Sequence, residues 1–208
     1  MKQQYLIFGI VFLAIAIFFV WTFIRKQDMQ KSPKIEKKTS LTNDKAKVME
    51  IQKSDIEQKK EIDDILYDLT QKYYPDYDDD SFNELDIVSQ TFALIIDADG
   101  QIQNGGIIQF IDNGTGNRFH ETIDAARRIK NDSLVAILTS VTSQYPKGKI
   151  PTDWNYRRDL WDKLCDKHEN DKNWDRFWEE IDNRYNENSK SIYQSLIDYM
   201  KSNAKLID

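Results

Sequence analysis

The hydropathy of the chain changes character twice. Residues 5–24 read YLIFGIVFLAIAIFFVWTFI, without one charge. Twenty helical residues span about 30 Å, the thickness of a bilayer core. Tyr5 and Trp21 stand near the two ends, where amphipathic rings favour the interface. A secretory signal has a shorter apolar region and a small-residue cleavage site. Here the run closes on Val20-Trp21-Thr22-Phe23-Ile24-Arg25, with no small pair. The pattern predicts an N-terminal tail over 1–4 and an uncleaved, single-pass transmembrane helix over 5–24 that holds the chain in a lipid bilayer. Residues 25–45 are polar and lysine-rich, so they predict a basic, flexible linker.

From about residue 46 the spacing turns helical and predicts an acidic, all-α domain over 46–208. Ile62, Ile65, Leu66, Leu69 and Tyr73 share one helix face, ended by Pro75. Upstream, Val48, Ile51, Asp55, Gln58, Ile62, Ile65 and Leu69 approximate a heptad seam, which admits a short coiled coil. Ser81 with Glu84 is a capping-box pattern that predicts the start of the next helix, carrying Phe82 to Ile96 and breaking near Gly100. An Asn-Gly-Gly turn over 104–106 precedes a short helix, Ile107 to Ile111, and a loop over 113–116. Further helices are predicted over 117–130, from Leu134 to Tyr145, and over 153–167, 174–186 and 189–203. No run alternates cleanly between hairpin turns, so strands are not predicted.

Charge divides the chain. Residues 1–60 hold 12 Lys/Arg and 6 Asp/Glu, net +6, whereas residues 61–208 hold 17 and 29, net −12. Arg25, Lys26, Lys31, Lys34, Lys37 and Lys38 follow the apolar run, and only Lys2 precedes it. Positive flanks stay inside, so the soluble domain is expected on the cytoplasmic side of the cell (inner) membrane. Residues 61–100 hold 12 acids and one lysine, net −11. Asp76, Asp78, Asp79, Asp80, Glu84 and Asp86 form the core of this run. They fit a negative surface for a basic protein partner, or a solvated loop whose acids favour the following helix N-terminus. Direct nucleic-acid binding needs clustered Lys/Arg and is not expected. No feature defines an oligomeric state.

Catalytic patterns are lacking. His120 and His168 have no ligand-spaced partner, and His120-Glu121 is not a zinc motif because position 124 is Asp. Asp97-Ala98-Asp99-Gly100 opens like a calcium loop, but Ile102 and Ile108 stand where Gly and Glu are required. Gly105-Gly106 and Gly114-Thr115-Gly116 lack the Gly-Lys-Ser/Thr of a phosphate cradle. Cys165, the one cysteine, precludes an internal disulfide. With His168 three positions on, it is the sole nucleophile–base pair. The sequence therefore predicts neither a cofactor nor an enzyme, and an unrecognised hydrolase is a remote alternative.

Asn104-Gly105-Gly106-Ile107-Ile108-Gln109-Phe110-Ile111-Asp112-Asn113, followed by Gly116, resembles the signature of the DNA-mimic-protein-19 family, a helical domain of largely unknown function. The likeness extends over roughly residues 60–203, through Thr122-Ile123-Asp124-Ala125-Ala126, Tyr145-Pro146 and the helix from Ile192 to Tyr199. Ile107 and Ile111 replace the usual aromatics, and the membrane anchor is not part of the family domain. Asn104, Gly105, Gly106, Gln109, Phe110, Asn113 and Gly116 read as structural, with glycines for a tight helix entry and Phe110 for the core. The resemblance implies a carboxylate-covered surface that imitates DNA phosphates and occupies a DNA-binding protein. An immunity-type or envelope adaptor that binds its partner by shape is the alternative.

Overall fold

The computed structural model describes residues 48–208, and the anchor and most of the linker expected over 1–45 lie outside them. The described residues belong to one compact unit. Among the described residues no helix is long and apolar enough to cross a membrane.

Seven α-helices follow a short strand. The order is β1 (Glu50–Gln52), α1 (Lys53–Ile56), α2 (Ile62–Tyr73), α3 (Ile87–Asp112), α4 (Phe119–Arg128), α5 (Asp132–Thr142), α6 (Trp154–Lys167), α7 (Lys172–Asn203) and β2 (Lys205–Ile207). Short 3-10 turns at Phe82–Glu84, Gly114–Arg118 and Pro146–Gly148 join them. The architecture is all-α, as the apolar spacing predicts.

One correction falls at the start of the domain. Among the described residues, neither a continuous helix nor a coiled-coil seam runs from Val48 to Leu69. Glu50, Ile51 and Gln52 instead pair in parallel with Lys205, Leu206 and Ile207. Ile51 is fully buried, so this position serves a sheet face and not a seam. Lys205 Nζ meets Glu50 Oε1 at 2.9 Å, and Lys53 Nζ meets Asp208 at 2.6 Å. Behind the strand, Asp55 accepts from Lys72 Nζ at 2.5 Å and from the Tyr73 hydroxyl at 2.6 Å. These two hydrogen bonds hold its carboxyl below the ordinary range.

The Ser81–Glu84 pattern opens only a 3-10 turn, without a side-chain cap. The true cap is Asp86, whose Oδ1 accepts from Val88 N at 2.9 Å and Ser89 N at 3.3 Å. From it α3 runs through Gly100, because the helix there is regular and nothing lies within 4 Å of a Cβ at that position. Phe92, Ala93, Leu94 and Ile95 are all buried at the centre of the domain. α3 packs on α4 and α7, and α5 packs on both of those. Asn131 caps α5 through Leu134 N at 2.8 Å and donates to Ser195 of α7 at 3.1 Å. α7 is one helix of 32 residues, where the sequence suggests two. Tyr185 and Ile192, seven positions apart, keep the same buried face across the polar stretch between them.

Candidate binding surface

The loop from Tyr74 to Asp86 carries all six acids singled out in the sequence, and folding gives them different tasks. Asp78 closes a turn: its Oδ1 accepts from Ser81 N at 2.8 Å and Ser81 Oγ at 2.7 Å, which holds its carboxyl below the ordinary range. Asp79 leans toward Arg118, at 3.8 Å, and its carbonyl accepts from the same guanidinium at 3.1 Å. That guanidinium sits 3.9 Å above the Phe82 ring and also pairs with Glu121 at 2.8 Å. Asp86 is half-buried as the α3 cap. Asp76, Asp80 and Glu84 remain exposed, with no ion pair among the described residues. Asp78 and Asp79 are exposed as well, so the outward charge of the loop comes from these five acids.

Two further acids take a role that their sequence pattern does not suggest. Asp97 and Asp99, which open like a calcium loop in the sequence, lie inside α3 and accept tyrosine hydroxyls. Tyr74 donates to Asp97 Oδ1 at 2.5 Å, and Tyr77 donates to its Oδ2. Tyr185 and Tyr193 both donate to Asp99 Oδ1, at 2.8 and 2.9 Å. Burial, then the Asp97 carboxylate, pushes the Tyr77 hydroxyl up to about 12. Burial with Asp99 likewise raises Tyr185 and Tyr193. The signal for this arrangement is the pairing of two acids at i, i+2 with tyrosines on flanking segments.

The Asn-Gly-Gly segment is a kink within α3. Gly105 has φ −162° and ψ 26°, and Gly106 has φ 78° and ψ 179°, a region that essentially only glycine occupies. A Cβ on Gly106 would stand 2.5 Å from Asp182 Oδ2, while Asp182 Oδ1 accepts from Ile107 N at 2.7 Å. Asp182 thus caps the helical segment that restarts at Ile107. Asn104 is exposed. Gln109 and Asn113 both donate to Gln101 Oε1, spanning the kink; the Gln109 bond is 3.0 Å. Phe110 is buried and stacks on Phe119 at 5.2 Å. A Cβ on Gly116 would press on the carbonyls of Phe110 and Ile111. Asn104 apart, the contacts of these residues stay inside the fold, which explains their types without a ligand.

Arg157 is a residue the sequence does not single out. It is only 1 % exposed, yet it touches no carboxylate. Nε donates to Ile111 O at 2.6 Å, Nη1 to Pro151 O and Thr152 O, and Nη2 to Asn113 O and Asn117 Oδ1. All five donors are used, at the C-terminal end of α3, where helix carbonyls lack partners. Burial pulls the guanidinium down from its ordinary value, but arginine keeps its proton in proteins.

The remaining chemical candidates are tied into packing. His168 stacks on Trp174 at 4.4 Å and its Nδ1 meets Asp171 at 3.2 Å, so it does not serve Cys165. Burial and the nearby Asp162 and Asp166 push the Cys165 thiol up, opposite to the shift of an activated nucleophile. His120 Nε2 donates to the Ile150 carbonyl at 3.0 Å. Among the described residues no group of three or more His, Cys, Asp or Glu could hold a metal ion.

The described residues thus form a helical domain in which Asp182 closes the kink of the Asn-Gly-Gly segment and a buried arginine ties down the end of the same helix. The model of the DMP19-like protein family matches residues 83–203, more than half of the chain, and this chain belongs to that family. β1, α1 and α2 precede the matched segment. No curated protein and no solved structure matches the chain.

Proposed function

We propose that this chain is a non-enzymatic, membrane-anchored module that binds a basic protein through its acidic surface and occupies the site where that partner takes DNA. The observation that carries the reading is the acid excess of residues 61–100, which reaches the surface as unpaired carboxylates at Asp76, Asp80 and Glu84. Glu61, Asp63 and Asp64, at the start of α2, are exposed as well. Phosphate-like recognition needs such carboxylates to face a basic groove, and their field also steers the encounter. Family membership supports the DNA-mimic form of this binding. The uncharged run over 5–24 supports attachment to the bilayer, and its basic flank supports a domain held on the cytoplasmic side. A tethered mimic would keep its partner at the membrane, away from DNA.

An adaptor that binds by shape is the second reading. It is favoured by the exposed aromatics of α6, Trp154 and Tyr156, the latter 60 % exposed. The two readings differ in salt dependence. The Asp76→Lys/Asp80→Lys/Glu84→Lys variant is expected to weaken binding of the captured basic partner by roughly ten- to a hundredfold at low salt. Isothermal titration across a salt series measures this. An unchanged affinity at low salt would move the interface elsewhere, with α6 as the first alternative.

A further inference from the structure

A cavity of about 460 Å³ opens between α2, the middle of α3 and α7. Its walls combine three kinds of surface. Leu66 is buried and Ile96 half-buried, which gives an apolar strip. Tyr67, 65 % exposed, and Tyr193 supply aromatic rings. Asp63 and Asp99 supply carboxylates, and no lysine or arginine lines the space. Asp99 spends only Oδ1 on its two tyrosines, so Oδ2 carries no hydrogen bond among the described residues. Asp63 has no ion pair among the described residues. At the rim, a Cβ on Gly100 would meet nothing within 4 Å, so the cavity is open there. The smaller cavity beside Asp97, about 300 Å³, differs in one respect: Arg118 already lines it.

We infer that the cavity at Asp99 receives the guanidinium of an arginine side chain from the basic partner; this rests on the acidic-surface reading above and gives that surface an anchor point. An arginine stem is apolar and its head is charged, so it matches a strip of Leu66 and Ile96 that leads to carboxylates. The planar head stacks on tyrosine faces. Asp99 Oδ2 and Asp63 accept its N–H groups, forming charge-assisted hydrogen bonds. α2, which supplies Asp63, Leu66 and Tyr67, lies outside the family-matched segment, whereas Ile96, Asp99 and Tyr193 lie inside it.

The test uses the full chain in an uncharged detergent and a fluorescent hexa-arginine peptide, with hexa-lysine and hexa-citrulline as comparisons. Binding is read by fluorescence anisotropy. The Asp63→Asn/Asp99→Asn variant keeps an acceptor oxygen for Tyr185 and Tyr193, and is expected to weaken hexa-arginine binding roughly tenfold. Gly100→Lys places an ammonium at the open rim of a helix that gains by losing glycine, so it is expected to melt no lower than wild type and to bind the peptide as weakly. Hexa-lysine is expected to bind wild type less tightly than hexa-arginine, and hexa-citrulline not to bind. Wild-type affinity in both variants, with loss on Asp76→Lys/Asp80→Lys/Glu84→Lys, would overturn the pocket and leave the acidic-surface reading standing. No hexa-arginine binding by wild type would overturn both. Equal affinity for hexa-lysine would overturn the assignment of a guanidinium.

Discussion

Replacing Arg157 with methionine is expected to cost about 4 kcal/mol. The methionine fills much of the volume but donates nothing. The carbonyls of Ile111, Asn113, Pro151 and Thr152 and the Asn117 amide oxygen would each lose a donor. A buried acceptor left unpaired costs about 1–3 kcal/mol, and partial relaxation keeps the total below the sum. Arg157 also fastens three separate segments: the end of α3, the turn after it and the loop before α6. For a domain of this size such a loss lowers Tm by roughly 10 °C. Arg157→Lys is expected to lose less than methionine, because its ammonium still donates, though to only part of the five acceptors. Thermal unfolding followed by far-ultraviolet circular dichroism measures both. A methionine variant that melts with wild type would mean that water or neighbouring groups already satisfy these carbonyls.

The second large effect is expected at Gly106. Alanine there must hold φ 78° with ψ 179° and push its methyl to 2.5 Å from Asp182 Oδ2. The backbone conformation alone costs about 1–3 kcal/mol for a residue with a Cβ. Displacing Asp182 also removes the acceptor for Ile107 N, so a total near 3 kcal/mol is expected. Gly105 makes a sharp comparison one position away. Its φ of −162° is ordinary extended backbone, and a Cβ would meet the flexible side chain of Gln109. Gln109 can swing aside, giving up its bond to Gln101, so Gly105→Ala is expected to cost about 1 kcal/mol. Urea unfolding of the two variants separates them. Equal losses would contradict the assignment of strain to Gly106.

Much of the helical layout was legible because it is written locally. Asp153 and the apolar positions of Trp154–Lys167 place α6 within a residue, and Leu134, Ile137, Leu138 and Val141 mark α5 as a buried face. The failures have specific causes. Ile51 reads as helical because its partner, Leu206, lies 155 residues away, beyond any local window. Ser81 and Glu84 have the spacing of a cap, but Asp86 is better placed to meet the first free amides of α3. Gly100 suggests a break that nothing in the packing enforces.

The surface was legible in total charge and less so in detail. Composition locates the acids, yet it cannot separate Asp76, Asp80 and Glu84 from Asp78, which closes a turn, or Asp86, which caps a helix. Asp99 is harder still, because its role depends on tyrosines in α7 about ninety residues on. Arg157 is invisible for a different reason. Its partners are mostly backbone carbonyls, which every residue carries, and its neighbour Arg158 has the same chemistry but lies on the exposed face.

The most direct test of the DNA-mimic reading is displacement by DNA. The full chain, immobilised in detergent, captures its basic partner from host lysate, and the bound partner is then challenged with duplex DNA at low salt and, separately, with rising salt. Screening weakens contacts between exposed charges, and DNA competes only for a DNA-binding site. The account predicts a partner released by duplex DNA and by modest salt. A partner held through high salt and indifferent to DNA would contradict it and point to an adaptor that binds by shape.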